Sequence, residues 1–135
     1  MSEIIKGTAG VSLQFKLLDA TTKEPKPAID VTTLFLQYIR GSSASTKTSL
    51  TLLASVTANW HPFGAIEIDA IGSPGIYRVD VPDSAFSSGS REVSVTVTGT
   101  VIESSSRLID LTDDIINGII QPSNYKPTWP AVLPR

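Results

Sequence analysis

Few groups in this chain could do chemistry. His61 is the only histidine and there is no cysteine, so nucleophilic catalysis would need a serine or threonine working through one imidazole. His61 lies in Asn59-Trp60-His61-Pro62-Phe63-Gly64, an aromatic, Pro-containing run that reads as a loop. A catalytic histidine needs a nucleophile and an orienting group within hydrogen-bond reach, and one loop histidine implies neither; a loop or interface role is the commoner one. Asp19, Asp30, Glu67, Asp69, Asp80 and Asp83 carry ligands of the type Ca²⁺ takes. They are scattered singly, without an Asp-x-Asp-x-Asp-Gly run, and solvated strand faces and turns account for them. Gly72, Gly75, Gly89 and Gly99 all fall where turns are expected, not in a phosphate loop. No catalytic residue, metal or cofactor is therefore expected, and the chain reads as a non-enzyme. One chemistry is left open: Trp60, His61 and Phe63 could stack on the apolar faces of sugars. The competing role is a hydrophobic plug at one end of the domain or a subunit contact, because aromatics commonly anchor interfaces.

The elements that would position these residues read as strands. Val11, Leu13, Phe15 and Leu17 alternate with Ser12, Gln14 and Lys16, giving a first strand with one buried face. Residues 21–27 hold two prolines and form a connection. Residues 31–40, rich in β-branched and aromatic side chains, read as a second strand. A loop over 41–47 leads to a returning strand marked by Leu50 and Leu52. Ile66 and Ile68 alternate with Glu67 and Asp69, which puts the two isoleucines on one face of a strand. After a break at Gly72-Ser73-Pro74-Gly75, Tyr77, Val79 and Val81 alternate with Arg78 and Asp80. Residues 82–86 fit one helical turn. Val93, Val95 and Val97 then alternate with Glu92, Ser94, Thr96 and Thr98, and residues 107–111 supply a last strand with Ile109 and Leu111 inward. About seven short strands separated by turn signals predict an all-β fold, an antiparallel β-sandwich of immunoglobulin-like shape, with a small barrel as the alternative.

Composition agrees. Of 135 residues, 41% are apolar and only 18% charged, so Ser and Thr must cover much of the surface. A net charge of −2 gives no basic face for nucleic acid. No apolar run reaches the ~18 residues of a membrane span, and the amino end lacks a basic-then-apolar signal peptide, so synthesis in the cytosol is expected. The sandwich is expected over residues 1–111 and a different region over 112–135. Thr112 could cap a helix carrying Ile115, Ile116, Ile119 and Ile120 as a stripe, but so short a helix is marginal and Gly118 interrupts it; a strand pairing with a neighbouring chain is the alternative. Residues 121–135 follow, with four prolines (Pro122, Pro127, Pro130, Pro134) between Tyr125, Trp129, Val132 and Leu133. Such a segment suits an extended arm laid on another protein surface.

The stretch Ile66-Glu67-Ile68-Asp69, then Gly72-Ser73-Pro74-Gly75-Ile76-Tyr77-Arg78-Val79-Asp80-Val81-Pro82-Asp83-Ser84-Ala85-Phe86, resembles an immunoglobulin-like β-sandwich module that recurs in tailed-bacteriophage virion proteins. The Val93–Val95–Val97 strand with Thr98-Gly99-Thr100, and the opening Val11-Ser12-Leu13-Gln14-Phe15, are similar to the same module, so the likeness spans about residues 7–111. The resemblance implies a structural or adhesive role in tail fibres, baseplates or head-associated proteins, with no catalytic residues to carry over. One module with a short arm, lacking fibre repeats, points to a small accessory or decoration subunit of the virion. Its expected partners are other virion proteins, in capsid or tail, and copies of itself, with neither nucleic acid nor membrane. The partner-binding residues would be Ile115, Ile116, Ile119, Ile120, Tyr125, Trp129, Val132 and Leu133. The alternative is a tail or baseplate adhesion module that binds host-surface glycans through Trp60, His61 and Phe63.

Overall fold

The computed structural model describes residues 2–116 and 119–121. The strands are β1 (Ser2–Ile5), β2 (Ser12–Lys16), β3 (Phe35–Arg40), β4 (Ser43–Ala44), β5 (Thr48–Ser49), β6 (Thr51–Leu52), β7 (Gly64–Asp69), β8 (Ser73–Asp80), β9 (Glu92–Thr98), β10 (Ser105–Thr112), β11 (Asp114–Ile116) and β12 (Ile119–Gln121). Among the described residues the only helical pieces are 3₁₀ turns at Val31–Thr33 and Asp83–Phe86. One sheet has the order β1-β10-β9-β3-β4, with β5 also paired to β3; the second has the order β2-β8-β7-β6. The domain is all-β, with two sheets arranged like a sandwich.

Both sheets are mixed, which corrects the expectation of purely antiparallel pairing. β1 runs parallel to β10, and β6 runs parallel to β7. Parallel neighbours cannot be joined by a tight hairpin and need a crossover of about a dozen residues. Between β6 and β7 that crossover is residues 53–63, so the aromatic loop exists because the topology requires a long connection there.

The core lies where the two inner faces meet. On β9, Val93, Val95 and Val97 are fully buried; opposite them come Phe15 of β2, Tyr77 and Val79 of β8, and Phe86 from the second 3₁₀ turn. Each fully buried aliphatic or aromatic side chain contributes roughly 1.5–3 kcal/mol through removal from water. On β2 and β9 the apolar set of each period-2 pattern is the buried set, so a one-residue slip in register would expose it.

Several local expectations change. Residues 31–33 form a 3₁₀ turn instead of the start of a strand, because the Asp30 carboxylate accepts the Thr32 N–H at 3.1 Å and caps it. After β5 the inward residues are Leu50 and Leu53, while Leu52 stays 61% exposed. On β7 the register sets Ala65 against Val79, Ile66 against the outward Arg78 and Glu67 against Tyr77. A bulge follows between Glu67 and Asp69, and Ile66 and Ile68 are only half-buried, outside the core. Glu67 can take the inward rim position because its carboxylate accepts the N–H groups of Ala28 (2.8 Å) and Gly75 (3.0 Å). The β7–β8 turn falls at residues 70–72, where the Asp69 carboxylate accepts from the backbones of Ile71 and Gly72. Gly75 sits inside β8 at φ +85°, and a Cβ there would stand 2.8 Å from the Pro25 side chain. Thr112, expected as a helix cap, ends β10 opposite Ile5. β11 and β12 form a hairpin in place of a helix, consistent with the preference of β-branched isoleucine for strands.

Candidate functional site

The 53–63 crossover is held to the four-stranded sheet by one buried acid. Asp80, at the end of β8, has no solvent exposure. One carboxylate oxygen accepts from the Ser12 hydroxyl (2.6 Å) and Arg78 Nε (2.8 Å); the other accepts from Arg78 Nη2 (2.9 Å) and the His61 backbone N–H (3.0 Å). Its own carbonyl accepts the Phe63 N–H at 2.9 Å. Burial pushes the Asp80 carboxyl up, but the hydrogen bonds from Arg78, Ser12 and the His61 backbone, with the Arg78 charge, outweigh it and hold the group below the ordinary carboxylate value. Arg78 also grips the loop directly, with Nη1 donating to the Val56 carbonyl at 2.7 Å.

Trp60, His61 and Phe63 meet different surroundings on this loop. Trp60 is half-buried, and its ring N–H donates to the Val11 carbonyl at 3.1 Å. Phe63 packs against the core from a left-handed backbone (φ 64°), which is costly for a bulky residue and holds only because the surroundings fix it. His61 is exposed, its Nδ1 2.9 Å from the Pro62 carbonyl oxygen. Ser12, His61 and Asp80 do converge, but Asp80 takes the serine hydroxyl and the histidine backbone directly. In a hydrolytic triad the imidazole ring would lie between acid and serine.

The remaining acids serve local structure. Asp19 is held at about 2, first by the Thr22 N–H, then by the Lys26 ammonium and the Thr21 N–H. Asp83 accepts the Gly10 N–H at 2.8 Å. Among the described residues no three acidic or histidine side chains gather as a metal site.

At the other end of the chain, the β11–β12 hairpin pairs Ile115 with Ile120 and Ile116 with Ile119. Tyr125, Trp129, Val132 and Leu133 lie outside the described residues.

Sequence reasoning missed two arrangements. Arg40 of β3 clamps the second 3₁₀ turn by donating to the Ser87 hydroxyl and to the carbonyls of Ser84, Ser87 and Ser88. Glu3, Asp110 and Glu92 stand in one cross-strand row on β1, β10 and β9. The first had no signal in the sequence; the second could be read only once strand order was known. Comparisons with protein families, curated proteins and solved structures found no match.

Proposed function

We propose that this chain is a non-enzymatic structural protein of a bacteriophage virion. In this reading it is a small accessory or decoration subunit, built on an immunoglobulin-like sandwich and bound to neighbouring virion proteins through the region after β10. The observation that carries the proposal is the β11–β12 hairpin. It forms a two-stranded sheet of its own, joined by strand pairing to neither large sheet among the described residues. An isolated two-stranded hairpin is at best marginally stable in water. One that pairs isoleucine with isoleucine twice is suited to completion by another protein, by packing or by strand addition. The arm's Tyr125, Trp129, Val132 and Leu133 add the kind of side chains that anchor interfaces. The resemblance to phage virion modules supplies the setting, and with it the virion as the place of residence.

Deletion of residues 121–135 tests this reading. The truncated protein is expected to fold as the intact one does, judged by circular dichroism and thermal unfolding, and to be missing from purified particles. Normal incorporation of the truncated protein would overturn the proposal.

The alternative, glycan adhesion, has one observation in its favour: the Asp80 network holds the Trp60–His61 segment in a fixed conformation before any ligand arrives, which lowers the ordering cost of binding. It predicts glycan-array binding by the intact protein that Trp60→Ala removes.

A further inference from the structure

Ile5, Phe35, Ile39 and Leu108 are among the most exposed large apolar side chains of the described residues, and strand register puts all four on one surface. On β9 the valines face inward, so Glu92, Ser94, Thr96 and Thr98 face out. Ser94 has Ile39 of β3 on one side and Leu108 of β10 on the other. One step along the strands lies the Glu92–Asp110–Glu3 row. One step the other way is an uncharged row, Gln37–Thr96–Ser106, whose two hydroxyls are 2.8 Å apart. Carboxylates opposed across strands repel one another, and among the described residues no ion pair neutralises these three. An occupant that suits the surface is apolar, carries cations and lacks carboxylate side chains.

Residues 122–135 have that chemistry. They contain Tyr125, Trp129, Val132 and Leu133, the cations Lys126 and Arg135, and no Asp or Glu. The chain also starts them in the right place: β10 ends at Thr112, two residues past Asp110, and the hairpin register returns Gln121 to lie opposite Asp114. At about 3 Å per residue an extended segment of this length reaches on the order of 40 Å, whereas the strands of the sheet, ~4.8 Å apart, span about 20 Å. Such attachment makes the encounter intramolecular, with an effective concentration in the millimolar range. From these features we infer that residues 122–135 dock in cis across the outer face of the six-stranded sheet, on the Ile39–Ser94–Leu108 row, with their cations against Glu3, Asp110 and Glu92. The inference rests on reading this segment as a binding arm and gives it a resting place before a partner takes it.

The 135-residue chain has no cysteine, so a nitroxide placed through Ala131→Cys is unique in it. Docking in cis predicts loss of the amide signals of Ile39, Ser94 and Leu108, with those of Gln14 and Arg78 on the opposite outer face retained. Ile39→Lys together with Leu108→Lys should restore the Ser94 signal, with the rest of the amide spectrum remaining that of the folded domain. Retention of all signals, equal loss on both faces, or loss that ignores the double substitution would each overturn the proposal. Loss seen only when a spin-labelled copy is mixed with an isotopically enriched one would place the arm on a second copy and overturn docking in cis. Particle incorporation of the truncated protein is a separate readout, so either reading can fail alone.

Discussion

The two outer faces of this sandwich are built from similar strands and end in opposite conditions. On the four-stranded sheet the two charged residues at the end of β8, Arg78 and Asp80, are satisfied from within. Arg78 and Asp80 pair with each other, Ser12 joins them, and the 53–63 loop is drawn in to complete the network. On the six-stranded sheet Ile39 and Leu108 remain 39% and 44% exposed beside three carboxylates aligned across neighbouring strands. Both faces obey period-2 alternation, so amphipathic patterning alone does not separate a closed surface from an open one. The difference lies in whether each polar group finds its partner inside the chain. A face whose groups are mutually satisfied gains little from a ligand. A face that exposes apolar side chains beside like charges is stabilised by whatever covers it.

The comparison can be broken at its strongest point first. Asp80→Ala removes a fully buried carboxylate and strands the Arg78 guanidinium, whose side chain is only 13% exposed. A loss of about 3–5 kcal/mol in urea unfolding is expected, as for other buried pairs that lose one partner. A loss below ~1 kcal/mol would mean that the loop is not held by this network. The same group sets an acid limb. Asp80 titrates below its ordinary value when folded, so its stabilisation is present above about pH 4 and disappears as pH falls through the folded value. Asp19 shares that window, so the informative quantity is the difference between the parent and Asp80→Asn, whose acid limb should be shallower.

Next in size is Tyr77→Phe. The Tyr77 hydroxyl donates to the Lys26 carbonyl at 2.8 Å and accepts the Ile29 N–H at 3.0 Å, fixing the connection before the first 3₁₀ turn. Its removal leaves two backbone groups without their partner and should cost about 1–3 kcal/mol. An unchanged midpoint would show that water replaces the hydroxyl at no cost.

The open face should give the smallest effects, and of opposite sign. With residues 122–135 removed, so that no arm cation faces the row, Glu92→Gln relieves repulsion among Glu92, Asp110 and Glu3 and should stabilise the domain by about 0.2–1 kcal/mol, with the gain shrinking as salt is raised. Destabilisation of that truncated protein by Glu92→Gln at low salt would mean that the row is already neutralised within the sandwich.

The parts of this architecture legible in the sequence are those fixed by local alternation. The valines of β9 and Leu13 and Phe15 of β2 point inward as their spacing requires. Ile66 and Ile68 show where that signal fails: alternation defines two faces but not which one is buried, and Glu67 went inward because Ala28 and Gly75, distant in sequence, supply its hydrogen bonds. Asp80 reads as a solvated strand residue for the same reason, since Ser12 lies 68 positions away. At residues 112–116, capping signals from Thr and Asp competed with β-branched isoleucines, and strand pairing prevailed. The parallel pairs could not be read at all, because alternation carries no information about strand direction. Of the candidate site residues, loop membership of Trp60, His61 and Phe63 was legible, but their separate surroundings depend on the Asp80 network.

The central proposal is that this domain binds neighbouring proteins in a virion through the region that follows β10. Cryo-electron microscopy of purified particles encoded by the same genome tests it most directly. The account predicts sandwich-shaped density on the capsid or tail, with residues 114–135 against an adjacent protein and the Arg78–Asp80 face turned to solvent. Absence of the chain from the particle, or attachment through the Arg78–Asp80 face with the C-terminal region making no contact, would contradict it.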